Sequence, residues 1–135
     1  MVKVTCALIV WQDKILVVQR GPESNHPFLW EFPGGKIHPG ETPENCIKRE
    51  IMEELDVEVE ILRKMAPVEF DYKIKKIELI PFLCTIKKGR LKFNEHIGFE
   101  WLEWNKLEEC DFSAADRKLI RQAQNVELLK EYFGK

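Results

Sequence analysis

No cysteine in this chain stands in a CxxC pair. Its four cysteines, Cys6, Cys46, Cys84 and Cys110, lie far apart in the 135 residues. That argues against a disulfide framework or a zinc site and reads as small buried residues in a reducing compartment. Charge of one sign is not in excess either. Lys and Arg number 21 and Asp and Glu 23, for a net charge of -2. Bulk electrostatics therefore does not draw the protein to long nucleic acid or to a membrane. No long hydrophobic run is present. The N-terminal VKVTCALIV is too short to span a bilayer and lacks a signal-peptide cleavage pattern, so a cytoplasmic protein is expected. Internal repeats, low-complexity segments and linkers are also missing, and the length suits a single domain over residues 1–135.

What is present is a series of short apolar alternations broken by turns. Residues 2–10 and 15–19 read as a strand hairpin turning at Gln12, Asp13 and Lys14. Arg20 follows at the strand end, then a polar loop, GPESNHPF. Leu29 to Phe32 is a short aromatic segment closed by Pro33, Gly34 and Gly35, a turn where backbone can approach a ligand closely. Further strands are expected at 57–62, 68–74, 77–86 and 99–104. Pro81 puts the third strand of the chain's second half at an edge or a bulge.

Two helices are expected. Thr42 is a good N-cap, Pro43 fits the first position, and Ile47, Ile51 and Leu55 recur at four-residue spacing toward the core. Ser113 caps the last helix, with Asp116 at the capping-box position and an apolar stripe through Leu119, Ile120, Ala123, Val126 and Leu129. Strands interrupted by one helix and ended by another imply an α/β chain, a mixed sheet between helices.

The first helix carries Glu50, Glu53 and Glu54 on one side, since successive residues turn by about 100°. Like charges at these spacings cost a helix roughly 0.2–0.5 kcal/mol per pair, which Arg49 offsets in part from four residues before Glu53. Two readings stand: a solvated acidic face, or a site for a hard divalent cation of the Mg²⁺ or Mn²⁺ kind, commonly shared with substrate phosphates.

The spacing of these residues resembles the Nudix box: Gly, five residues, Glu, seven residues, then Arg-Glu-apolar-x-Glu-Glu-x-Gly-apolar. Gly35, Glu41, Arg49, Glu50, Ile51, Glu53, Glu54 and Val57 fall on it, and Asp56 stands where the family has glycine. The six polar or glycine matches among these eight would coincide by chance in about one window in 10⁷. Asp56 tolerates the left-handed cap that glycine normally supplies, at some cost. The segment WEFPGGKIHPGET is similar to the MutT-type branch of the family.

The resemblance implies a Nudix fold (α/β/α) and metal-dependent hydrolysis of a nucleoside triphosphate to monophosphate and pyrophosphate. It implies metal ligation by Glu53, Glu54, Glu50, the Gly34 carbonyl and Glu95, with Mg²⁺ as cofactor and Mn²⁺ as its substitute. The catalytic set would be Glu50 as first choice of general base, Glu95 as second, and Arg49, which pairs with a box glutamate; Glu41 would hold either that arginine or a metal-bound water. Arg20 and Lys36 are candidate phosphate contacts, against plain solvent exposure. Phe32 would lie against the base, with Phe28 and Trp30 as alternatives. Asp116 would read the base edge, or serve only as a cap. As an acceptor it suits the cytosine amino group or the N–H edge of guanine. Cytosine nucleotides (CTP, dCTP) lead and oxidised guanine nucleotides follow. A dinucleoside polyphosphate substrate and a non-catalytic nucleotide-binding module are the alternatives, and a monomer or a homodimer is expected. His26, His38 and His96 share no ligand spacing and receive no role.

Overall fold

The computed structural model describes residues 1–134. Eight strands form one mixed sheet: β1 (Val2–Trp11), β2 (Lys14–Gln19), β3 (Trp30–Glu31), β4 (Gly34–Lys36), β5 (Val57–Lys64), β6 (Val68–Asp71), β7 (Lys76–Gly89) and β8 (Gly98–Glu103). Helix α1 (Pro43–Leu55) follows β4. A 3₁₀ segment at Trp104–Glu109 leads to α2 (Ala114–Arg121) and α3 (Ala123–Phe133). The order across the sheet is β3-β2-β1-β7-β5, and β1 runs parallel to β7.

Strand β1 is covered on both faces, which is why its sequence is nearly continuous in apolar residues. Cys6, Leu8 and Val10 join the core layer that contains Leu119, Ile120, Leu128 and Leu129 of α2 and α3. Ala7 and Ile9 face the opposite layer with Ile47, Ile51 and Leu55 of α1. Those three α1 side chains are completely buried, contributing roughly 1.5–3 kcal/mol each. The architecture is thus α/β/α, with α1 on one face and α2 and α3 on the other.

The site grows from a split in this sheet. β1 and β2 pair only beside their turn, at Val10–Ile15 and Trp11–Lys14. The turn places Gln12 and Asp13 at φ 50° and 63°, both left-handed, as a tight two-residue hairpin requires. Beyond it the strands part, and the segment from Trp30 to Lys36 fills the opening. β3 pairs with the end of β2, and β4 with Val4–Cys6 of β1.

Three expectations need correction. Strand β7 is not at an edge, being flanked by β1 on one side and by β5 and β6 on the other, whereas the alternative of a bulged strand holds: its pairing with β5 shifts register between Glu58 and Val59 and between Ile61 and Arg63. Pro81 is accommodated because its carbonyl accepts from the Met65 N–H where the chain leaves β5 for β6, so its missing donor points into that gap. The last helix is two helices. Gln122 is extended (φ -66°, ψ 128°) and caps α3 by accepting from the Asn125 N–H. The buried Asn125 side chain bonds both backbone groups of Ala66 and the Leu119 carbonyl, which pins the break. Ala123, placed on the apolar stripe, is exposed. Finally, no capping box forms at α2: the Ser113 N–H goes to the Trp30 carbonyl, and the Ser113 hydroxyl donates to Asp116 instead of capping the helix.

Candidate active site

Helix α1 starts as its sequence dictates. Thr42 accepts from the Asn45 N–H at 3.1 Å, and Pro43 occupies the first turn. It ends on Asp56 in the left-handed conformation (φ 61°, ψ 29°), whose N–H returns to the Met52 carbonyl. The family's glycine position therefore keeps its geometry with an aspartate in place.

The three helix glutamates share a side but not a depth. Glu54 is buried, Glu50 is largely covered, and the Glu53 side chain is half exposed. Arg49 ties two of them, Glu50 and Glu53, to the loop before the helix. Its Nε and NH2 donate to the two oxygens of Glu41 at 2.7 and 3.0 Å. NH1 donates to Glu50 at 2.9 Å and to Glu53 at 3.2 Å, and NH2 also reaches the Lys36 carbonyl. This guanidinium holds the Glu41 carboxyl down at about 2, and its own proton is bound more tightly for the same reason.

The paired glycines have separate reasons. A side chain at Gly34 would put its Cβ 2.0 Å from the Thr5 carbonyl oxygen on β1. At Gly35 it would lie 2.3 Å from the Glu50 carboxyl carbon. The turn is open for the chain's own strand and its own glutamate, rather than for a ligand alone. The β1–β4 ladder bonds fall at Ala7–Pro33 and Lys3–Ile37. By alternation Cys6–Gly34 is a non-hydrogen-bonded pair, and the Gly34 carbonyl turns away from β1.

Glu95 is brought to this helix end by backbone bonds. Lys92 and Asn94 donate their N–H groups to the Leu55 and Glu54 carbonyls, and the Asn94 side chain donates to the Glu53 carbonyl. Orphan carbonyls of the α1 C-terminus are thereby satisfied, and exposed Glu95 is delivered beside Glu54. Glu54 then has one carboxylate oxygen, Oε1, buried with no hydrogen-bond partner. Burial first, then the contact with Glu50 and the charges of Glu95 and Glu31, push its carboxyl well above the carboxylate range. Among the described residues no three His, Cys, Asp or Glu side chains already stand in a ligating arrangement. Arg49 draws Glu50 and Glu53 the other way. Even so, an unpartnered buried oxygen among like charges is the donor chemistry that a hard cation satisfies.

A cavity of about 300 Å³ opens beside this cluster, lined by Gly34, Gly35, Lys36 and Glu54 at one end and by Phe32, Tyr72, Ser113 and Asp116 at the other. Arg20, Glu31, Glu95 and His96 line it too, and also line a neighbouring cavity of about 420 Å³ bounded by the 21–24 loop. Asp116 is buried at the cavity wall. Burial, and next the Glu31 charge, raise its carboxyl to about 7, against the hydroxyl of Ser113 and the Phe32 amide, which favour the anion. Since no capping box forms, this carboxyl is not occupied as a cap.

Phe32 reaches the cavity but is buried and packed on Phe112 at 4.9 Å between ring centroids, so it offers a wall rather than a free stacking face. Phe28 is exposed, and neither it nor Trp30 lines either cavity. Lys36 is exposed at the mouth. Arg20 is ion-paired with Glu31 at 2.8 Å. Four lining residues had no site role expected from the sequence: Glu31 and Tyr72, Ser113, expected only as a helix cap, and His96, given no role. Glu31 carried a signal, a charge between two aromatics in a strand. His96 carried none beyond adjacency to Glu95.

Comparison with known proteins bears on the family and the fold. The NUDIX domain family model matches residues 1–123. The chain is 28% identical to an 8-oxo-dGTP diphosphatase of Buchnera aphidicola, over 94% of this chain and 96% of that one. It is 30% identical to the CTP pyrophosphohydrolase of Escherichia coli, over 89% of each. The crystal structure of a MutT protein from Methanosarcina mazei superposes with a TM-score of 0.82 over 99% of this chain and 96% of that one; at 24% identity this speaks for the fold. With box, fold and relatives in agreement, the chain belongs to the Nudix family, as a hydrolase of the MutT type.

Proposed function

We propose that this hydrolase converts a nucleoside triphosphate to the monophosphate and pyrophosphate, with Mg²⁺ as its ion and Mn²⁺ as a substitute. The observation that carries the reading is the unpartnered, buried Oε1 of Glu54 beside Glu50, Glu95 and Glu31, at the end of a cavity that also holds Lys36 and Arg20. Glu50, Glu53, Glu54, Glu95 and the Gly34 carbonyl would hold the ion, with Glu53 released from Arg49. Bound there, a divalent ion neutralises phosphate oxygens and acidifies a nearby water.

The remaining work falls to the chain's own groups. Glu50 accepts the proton of the attacking water, with Glu95 as the second candidate, and position matters more than basicity. Arg49 is a positioning residue that fixes Glu50 against Gly35. Arg20 and Lys36 take phosphate oxygens. Phe32 walls the base and Asp116 reads its edge. A carboxyl raised to about 7 accepts from the cytosine amino group as the anion and can donate once protonated. Cytosine nucleotides (CTP, dCTP) therefore lead, with 8-oxo-dGTP next, in keeping with the names of the two relatives. No helix of the described residues is long and apolar enough to cross a membrane, and we place the activity in the cytoplasmic nucleotide pool.

The test is a panel of nucleoside triphosphates with Mg²⁺, read by pyrophosphate release, for the wild type and Asp116→Ala. Release from a cytosine or oxidised guanine nucleotide, with the preference flattened in the variant, supports the reading. No release from any member overturns it, and an unchanged preference removes Asp116 from base recognition.

A further inference from the structure

Between the two cavities lies a short chain of polar contacts, of which the reaction as described uses only Arg20. Glu31 sits on β3 in the split between β1 and β2. Its Oε1 accepts from Arg20 NH1 at 2.8 Å, and its Oε2 accepts from His96 Nε2 at 2.9 Å. The His96 side chain is 6% exposed, and its other nitrogen, Nδ1, is buried with no partner. Donation from Nε2 to a carboxylate fixes which nitrogen carries the proton in the neutral ring. Arg20 is held a second time, Nε to the Ser24 hydroxyl. Its NH2 takes no protein partner among the described residues, and Arg20 lines both cavities.

The last torsion of a glutamate is broad, so its carboxylate plane is set by what it bonds. Glu31 lies near enough to Glu54 and Asp116 for its charge to disfavour ionisation of both. Two donors, one on each oxygen, hold the Glu31 carboxylate in place. His96 is itself anchored. Flanking residues donate backbone N–H groups to fixed elements, Asn94 to Glu54 at 3.0 Å and Ile97 to Gln19 at 3.1 Å. The ring thus links a pinned segment to Glu31, and Glu31 to Arg20.

We propose that His96 is a positioning residue for substrate binding: through Glu31 it fixes the Arg20 guanidinium at the junction of the two cavities, leaving NH2 to meet a phosphate of the nucleotide tail. This rests on the reading of Arg20 as a phosphate contact given above. His96 bonds neither the nucleotide nor the reacting atoms. Its effect appears in affinity, and only while Arg20 is present.

The experiment is steady-state hydrolysis of CTP and of 8-oxo-dGTP with Mg²⁺ by wild type, His96→Leu, His96→Gln, Arg20→Ala and the His96→Leu/Arg20→Ala double variant, each checked for fold by circular dichroism. Expected is a KM raised about tenfold in His96→Leu with kcat within about threefold, since misplacement of a binding group weakens contact without touching the chemistry. His96→Gln keeps a donor at the position of Nε2 and restores KM to within about threefold of wild type. In the Arg20→Ala background, His96→Leu adds nothing further to KM. A fall in kcat at unchanged KM would show that His96 serves Glu95 and overturn the proposal, as would additive effects in the double variant. If His96→Leu fails to fold, His96→Gln decides: a KM as high as that of Arg20→Ala overturns the proposal, and one near wild type upholds it. If Arg20→Ala leaves KM unchanged, the phosphate-contact reading of Arg20 falls. If Arg20→Ala raises KM and His96→Leu does not, only the role of His96 falls.

Discussion

Arg49 and Glu41 meet as a two-pronged ion pair, Nε to Oε2 at 2.7 Å and NH2 to Oε1 at 3.0 Å. The same guanidinium reaches Glu50, Glu53 and the Lys36 carbonyl, so one planar fork ties the loop before α1 to the acidic face of the helix. Lysine offers a single point charge and cannot make these bonds together. Arg49→Lys is therefore expected to lower kcat by about tenfold or more while the fold survives. Pyrophosphate-release kinetics beside a circular dichroism spectrum check this, and wild-type kcat would contradict it. The Glu41 carboxyl, held at about 2 in the folded protein, supplies stability that is present above the ordinary glutamate value and lost as pH falls through the folded one. Glu41→Gln should flatten that acid limb of a thermal-stability profile.

Gly34 and Gly35 should fail differently. The clash at Gly34 is with backbone of β1, which cannot move without breaking the sheet. Gly34→Ala should cost about 1–3 kcal/mol or more of stability. The clash at Gly35 is with the end of the Glu50 side chain, which can swing aside. Gly35→Ala should keep most of its melting temperature and lose activity. Thermal melts paired with kinetics separate the two, and equal destabilisation of both variants would contradict the assignment.

Asp56 occupies a conformation that costs an L-residue roughly 1–2 kcal/mol, less for aspartate than for most. Asp56→Gly relieves it, and should raise stability by about 0.5–1 kcal/mol in denaturant titration without changing activity. A destabilised variant would mean that the Asp56 side chain contributes contacts of its own.

As the proposed metal ligand, Glu54 would link metal binding to pH. Its carboxyl is raised in the folded protein, so the folded form holds a proton that the unfolded form has given up. Stability is full below the ordinary glutamate value, ~4.3, and declines as pH rises through neutrality toward the raised value. Stripped of divalent ions, the protein should melt at lower temperature at pH 9 than at pH 6, and Glu54→Gln should reduce that slope. Added Mg²⁺ should raise the melting temperature more at pH 9, where less proton must be displaced. An equal Mg²⁺ shift at both values would contradict this.

Much of this was legible in the sequence because it is local. Thr42, Pro43 and the spacing of Ile47, Ile51 and Leu55 specify α1 without reference to anything distant. The spacing of Gly35, Glu41, Arg49, Glu50, Glu53 and Glu54 marks the site for the same reason. What escaped depends on partners remote in sequence. Asn125 breaks the last helix because it bonds Ala66, fifty-nine positions earlier. Pro81 sits in an interior strand because β5 gives way to β6 opposite it. His96 and Glu31 meet across sixty-five positions, and no periodicity announces that. The unequal depths of Glu50, Glu53 and Glu54 follow from Arg49 and from the 92–97 segment, neither of which helix geometry alone can weigh.

The buried oxygen of Glu54 and the carboxylates around it are proposed to form a divalent-ion site. Mn²⁺ binding, followed by electron paramagnetic resonance on the metal-stripped protein, tests it most directly. Wild type is expected to bind the ion, and Glu54→Gln and Glu53→Gln to bind it at least about tenfold more weakly. Mn²⁺ bound equally well by the wild type and Glu54→Gln, or by neither, would contradict the account.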